Sequence, residues 1–141
     1  MTARMFRIKW GSIVIAGLSV WVISFVLVAA TVFAYAFSLG LAARGAPDFT
    51  AIQRFAEGVG PVWGPRISAL LTGIAAIWLA RRVNAWPIWH GVLVGVVVAG
   101  PGLLAGQRFG MVASLLFAAT LLAGAAGGWL GSHRKEVRLQ Q

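Results

Sequence analysis

One stretch constrains this chain more than any other: from Trp10 to Ala43 there is no charged residue. As a helix rising 1.5 Å per residue it would be about 50 Å long, well beyond the ~30 Å hydrocarbon thickness of a bilayer. Composition agrees. Only 11% of the residues are charged and mean hydropathy is +0.86, against about a quarter charged in ordinary soluble domains. Intrinsic disorder is excluded as well, because 60% of the residues are hydrophobic. The basic start leading into this run resembles a signal peptide. The apolar part, however, is much longer than the ~7–15 residues of a signal core, so the expectation is an uncleaved first transmembrane helix.

Three more uncharged runs follow, Ile67 to Ala80, Val83 to Gln107 and Phe109 to Ser132. The fold expected is an all-α polytopic membrane protein, a single domain over residues 1–141 with four transmembrane helices at about 11–42, 61–80, 84–106 and 109–132. The second run reaches spanning length by starting near Pro61 or Pro65, with proline in a first helical turn and Arg66 snorkelling to the interface; a re-entrant hairpin is the alternative. The first run is too long for the bilayer, so it tilts or projects near Tyr35 to Ala43.

Twelve basic against three acidic residues give a formal charge of +9. In a soluble domain that would prompt a nucleic-acid reading. Here the basic residues flank apolar runs, which assigns them to topology and to anionic lipid headgroups rather than to nucleic acid. With the N-terminus inside, Arg4, Arg7, Lys9, Arg81, Arg82, Arg134, Lys135 and Arg138 are cytoplasmic, eight residues, against four outside, Arg44, Arg54, Arg66 and Arg108. Both termini are therefore expected in the cytoplasm, in a multi-pass protein of the inner membrane. Trp10, Trp86, Trp89 and Trp129 then fall near the cytoplasmic face and Trp63 near the other, as an aromatic belt requires.

Between Arg44 and Arg66, Phe49, Ile52, Phe55 and Ala56 stand at roughly helical spacing. Asp48 would cap the start and Gly58 would end it, giving a short amphipathic helix on the outer surface. Gly58, Gly60, Pro61, Gly64 and Pro65 would form the turn into the second span. An irregular loop is the alternative.

Helices in lipid gain little from excluding one another's apolar surface, so close association relies on small residues. Gly91 and Gly95, Gly102 and Gly106, Gly124 and Gly128, and Gly127 and Gly131 each recur four residues apart, on one helix face. Tight packing of the third and fourth spans follows. The stretch from Leu71-Thr72-Gly73 through Ala80-Arg81-Arg82 and Trp89-His90-Gly91 to Gly127-Gly128-Trp129-Leu130-Gly131 resembles small four-helix bacterial inner-membrane proteins of unknown function. The resemblance implies a bacterial membrane location and four helices, and brings no catalytic residue with it.

The absences exclude several chemistries. Without cysteine there is no disulfide, thiol nucleophile or thiolate metal site. Asp48, Glu57 and Glu136 all lie outside the spans, whereas proton-coupled transport places ionisable groups within the membrane. Small multidrug exporters of this size depend on a membrane-embedded glutamate that has no counterpart here. Asp48 and Glu57 read as capping and solvated residues. Ser12, Ser19, Ser24, Ser68 and Ser114 lack a neighbouring base and are expected to bond back onto helix carbonyls.

His90 and His133, at the start of the third span and the end of the fourth, are expected near the same face; paired, they could hold haem iron, while interfacial hydrogen bonding is the plainer role. No catalytic, cofactor-binding or metal residue is assigned. The function expected is a noncatalytic accessory or assembly subunit whose partners are the lipid bilayer and other membrane subunits or itself. The alternatives are a small oligomeric transporter or channel with Arg66, Gln107 and Arg108 at an outer vestibule, and a pigment- or haem-binding subunit using His90.

Overall fold

The computed structural model describes residues 8–43, 48–83, 86–104 and 111–139. They form four helices, α1 (Trp10–Ala43), α2 (Phe49–Arg82), α3 (Pro87–Leu104) and α4 (Met111–Leu139). α1, α2 and the Ser114–His133 part of α4 are long and apolar enough to cross a membrane, and α3 is a shorter apolar helix. Length and hydropathy thus make the chain a multi-pass membrane protein whose lipid-facing surface is apolar.

α1 fills the uncharged run that announced it, with 34 residues. α3 begins later than the span expected at 84–106: proline suits a first helical position, so the helix starts at Pro87, and it is described for 18 residues to Leu104. α4 continues past the expected end at 132, because no glycine or proline follows Gly131 to stop it.

The segment before the second span corrects the sequence reading. Asp48 does cap a helix, accepting hydrogen bonds from Thr50 N (2.9 Å) and Ala51 N (3.2 Å). That helix does not stop at Gly58, and there is no separate surface helix. It runs unbroken for 34 residues through Pro61 and Pro65 to Arg82. Each proline removes one backbone bond, to Glu57 and Pro61 respectively, a loss tolerated in membrane helices. Gly58, Gly60 and Gly64 crowd nothing within 4 Å, and none adopts the left-handed backbone that a terminating glycine needs. Stacking of Tyr35 on Phe55, with ring centroids 4.0 Å apart, ties the start of α2 to the end of α1.

α4 is locked to two neighbours by two glycine faces. Gly124 lies against Gly91 of α3 so closely that a Cβ on either would strike the other's carbonyl. A Cβ on Gly128 would lie 2.6 Å from the Pro87 carbonyl oxygen. Around the helix, Gly127 meets the Gly73 carbonyl and Ala76 of α2, and a Cβ on Gly131 would lie 2.6 Å from Ala80 Cβ. The expected tight contact of the third and fourth spans is present, and an equally close one joins the fourth to the second. Gly106 lies outside the described residues.

The apolar core is a seam of α1, α2 and α3, made of Ile13, Ala16, Val20, Leu79, Val83, Val94 and Val98. Gly17 admits the Val97 side chain, which draws α1 onto α3. Among the described residues α1 touches α2 and α3 but not α4.

These contacts predict opposite responses at two kinds of glycine. Gly127→Leu should lower unfolding stability in detergent by about 1–3 kcal/mol or more, through forced separation of α2 and α4. Gly58→Ala, in open helical space, should raise it by roughly 0.5–1 kcal/mol. Denaturant titration followed by circular dichroism separates the two, and equal effects would contradict the packing.

Candidate functional site

Among the described residues, the one buried side-chain polar atom without a hydrogen-bond partner belongs to His90, at the junction of α2 and α3. α2 ends at Val83, which is extended (φ −109°, ψ 133°) and whose N–H donates to Leu79 O. Trp86 precedes Pro87, a position that favours extended backbone, yet its φ is 54°. Such a left-handed tryptophan costs on the order of 1–3 kcal/mol. Its carbonyl takes a double contact from one turn ahead: it accepts the His90 backbone N–H (3.2 Å) and bonds with His90 Nδ1 (3.0 Å).

A carbonyl only accepts, so Nδ1 carries a proton and donates it to the Trp86 carbonyl, which leaves Nε2 as the ring nitrogen not engaged by that contact. His90 is 3% exposed, and Nε2 is buried without a hydrogen-bond partner. Val94 and Val98, one and two turns on, belong to the core seam with α1 and α2, so His90 stands at the end of that seam.

His133 does not join it. It is exposed and stacks on Trp129, with centroids 5.0 Å apart. Since Gly124 faces Gly91, the α4 residue level with His90 is near 125, which leaves His133 about 12 Å further along the helix. The two imidazoles expected at a common depth are therefore not brought together.

The buried hydroxyls among the described residues are hydrogen-bonded inside the bundle. Thr72 Oγ donates to Ser68 O (2.7 Å) and Thr120 Oγ to Leu116 O (2.9 Å), the back-bonding that hydroxyl residues make in helices. Ser24 and Ser68 differ from expectation: Ser68 Oγ donates to Ser24 Oγ across α1 and α2 at 3.1 Å. Trp21 was likewise missed. Its Nε1–H donates to the Val98 carbonyl at 2.9 Å, so it braces α1 on α3 rather than anchoring at an interface. Only the absence of a nearby charge distinguishes Trp21 from the belt tryptophans in the sequence.

Trp10, Trp86, Trp89 and Trp129 are exposed and lie at the end where α1 and α3 begin and α2 and α4 finish. Arg82 stacks on Trp78 (4.1 Å) near that end, and Arg66 lies over Trp63 (5.6 Å) toward the other. Of the vestibule expected at Arg66, Gln107 and Arg108, only Arg66 is among the described residues, and it is exposed. Between α1 and α3 runs a groove of about 510 Å³ bordered by Gly17, Trp21, Phe25, Val97 and Pro101, apolar almost throughout.

The chain matches no protein-family model, no curated protein and no solved structure. No family is therefore identified, and the geometry alone carries the functional reading.

His90→Ala should destabilise the fold by about 2–4 kcal/mol, by opening a cavity and removing a donor from the Trp86 carbonyl. His90→Asn, whose amide still donates, should recover part of that loss. Thermal unfolding of the three proteins in one detergent measures both steps.

Proposed function

We propose that the protein is a noncatalytic integral membrane subunit of the inner membrane, with both termini cytoplasmic, that assembles with other membrane proteins or with copies of itself. The observation that carries this reading is the bundle interior. Its buried polar side chains among the described residues are Ser24, Thr72, Thr120 and His90, and none of them carries a fixed charge. All four bond to a neighbouring hydroxyl or carbonyl, with Nε2 of His90 the one buried atom left without a partner, which stabilises packing and leaves little to bind or move a solute. Sidedness rests on the basic residues: Lys9, Arg81 and Arg82 share the end rich in tryptophan, and the positive-inside rule puts that end in the cytoplasm.

A second reading, a haem- or pigment-binding subunit, draws on one observation. Engagement of Nδ1 by a backbone carbonyl is the arrangement that fixes an axial imidazole, and Nε2 of His90 has no other partner. In the conformation described, that nitrogen is enclosed by the bundle, so a macrocycle would need α3 to move away from its neighbours.

Mild-detergent purification from the native membrane tests both readings. Stoichiometric companions or self-association with a featureless visible spectrum are expected. A Soret or pigment band abolished by His90→Ala would favour the second reading, and solute flux in reconstituted vesicles would overturn both.

A further inference from the structure

Two hollows adjoin on the surface of the bundle, where α1 lies against α2 and α3. The larger, about 510 Å³, is the groove between α1 and α3, walled on the α1 side by Leu18, Val22 and Phe25, all exposed. The smaller, about 210 Å³, is bordered by Ser24 of α1 and by Gly64 and Ser68 of α2. Trp21 and Phe25 border both, so the pair forms one trough along α1, apolar toward Gly17 and polar at Ser24.

The polar end has hydrogen-bonding capacity to spare. Of the side chains that border the trough, only Trp21, Ser24 and Ser68 are polar, and Trp21 spends its single donor on the Val98 carbonyl. Ser68 Oγ donates to Ser24 Oγ at 3.1 Å. Thr31, Thr72 and Thr120 return their protons to carbonyls of their own helices, whereas among the described residues neither serine does so. Two hydroxyls carry two protons, and one shared bond uses one of them. The other calls for an acceptor, because a hydroxyl in hydrocarbon has no water to turn to and its lost hydrogen bond is costly. The group that answers it must offer an oxygen at Ser24 and Ser68 and be apolar from there toward Gly17.

We propose that this trough holds one glycerophospholipid of the leaflet at the Arg66 end, with an ester carbonyl accepting from the Ser24–Ser68 pair and its acyl chain lying in the groove toward Gly17. The inference goes beyond the subunit reading above and rests on its membrane placement. Depth favours this occupant. Arg66 is exposed and only two residues, about 3 Å of helix rise, further out than Ser68, and a charged side chain there marks where α2 meets the interface. The hydroxyl pair therefore stands at the inner edge of the headgroup layer, beside the level of lipid esters. From Phe25 to Gly17 the groove runs about 12 Å away from that interface, the direction in which an acyl chain extends. The order of polar and apolar parts along the trough is thus that of a lipid in its leaflet.

Two variants remove the site by different routes. Ser24→Ala with Ser68→Ala takes away the donors, and Gly64→Leu fills the smaller hollow from a position where an added Cβ meets nothing within 4 Å. Ser19→Ala, in the separate groove between α1 and α2, is the control. Each full-length protein is purified from native membranes in mild detergent, washed, and its retained phospholipid counted by native mass spectrometry. Wild type and Ser19→Ala should keep one phospholipid per chain. Every site variant whose circular dichroism matches wild type should keep about fivefold less or lower still, the factor that one net hydrogen bond supplies. Wild type without retained phospholipid, a different molecule in its place, or equal retention in wild type and a folded site variant overturns the proposal. So does an equal loss in Ser19→Ala. Carbonate extraction is scored first: release from the membrane sinks the membrane placement itself, whereas a chain that stays in the membrane and fails the lipid count sinks only the lipid site.

Discussion

Close approach of helix backbones at α4 is the contact on which the rest of the structure depends. In lipid, apolar side chains gain nothing by leaving the solvent, so helices adhere through short-range dispersion and weak backbone contacts that fall off within an ångström. Only glycine lets Gly124 reach Gly91 and Gly127 reach Gly73. Because the two faces lie three residues apart, one helix holds two others at a fixed angle. α1 is then added from the far side, where Gly17 receives Val97 and Trp21 bonds to the Val98 carbonyl. The bundle is thus a rigid three-helix unit with a fourth helix bound along one side.

The second constraint is that no water is present at depth to satisfy polar groups. Thr72 and Thr120 meet it within their own helices, and Ser24 and Ser68 meet it across two. The α2–α3 junction meets it at a cost. To turn the chain so that Gly91 faces α4, Trp86 takes a left-handed conformation before proline, and His90 reaches back to hold its carbonyl. His90 is thereby a structural element of the junction, and its second nitrogen is left over by that role. Strain and an unspent nitrogen within five residues mark this corner as the chemically distinctive place in the bundle.

Much of the architecture was legible in the residues. The uncharged run beginning at Trp10 specified α1 almost to the residue, and the four-residue glycine spacing specified the α3–α4 contact. Where the reading went wrong, it treated a residue's preference as a decision. Gly58, Pro61 and Pro65 each favour a break, yet Asp48 starts a helix that has packing partners on both sides of them. The alternative would leave backbone groups unpaired near the membrane, so the helix continues. The missed contacts, Ser24 with Ser68 and Trp21 with Val98, depend on which helices become neighbours. Spacing within one helix carries no such information. His90 was visible as a candidate, but its burial and its separation from His133 follow from the register between α3 and α4, which the Gly91–Gly124 contact sets.

Exposed apolar surface means different things at different depths of this molecule. The groove beside Gly17 and Trp21 is large and apolar, but a lipid tail fills such a space as favourably as a side chain would. Trp10, Trp86, Trp89 and Trp129 are half-exposed where a headgroup belt welcomes them. Those surfaces carry no information about protein partners: the packing that shapes the bundle is geometric, set by glycine, and what it leaves outward is apolar surface of the kind a bilayer covers.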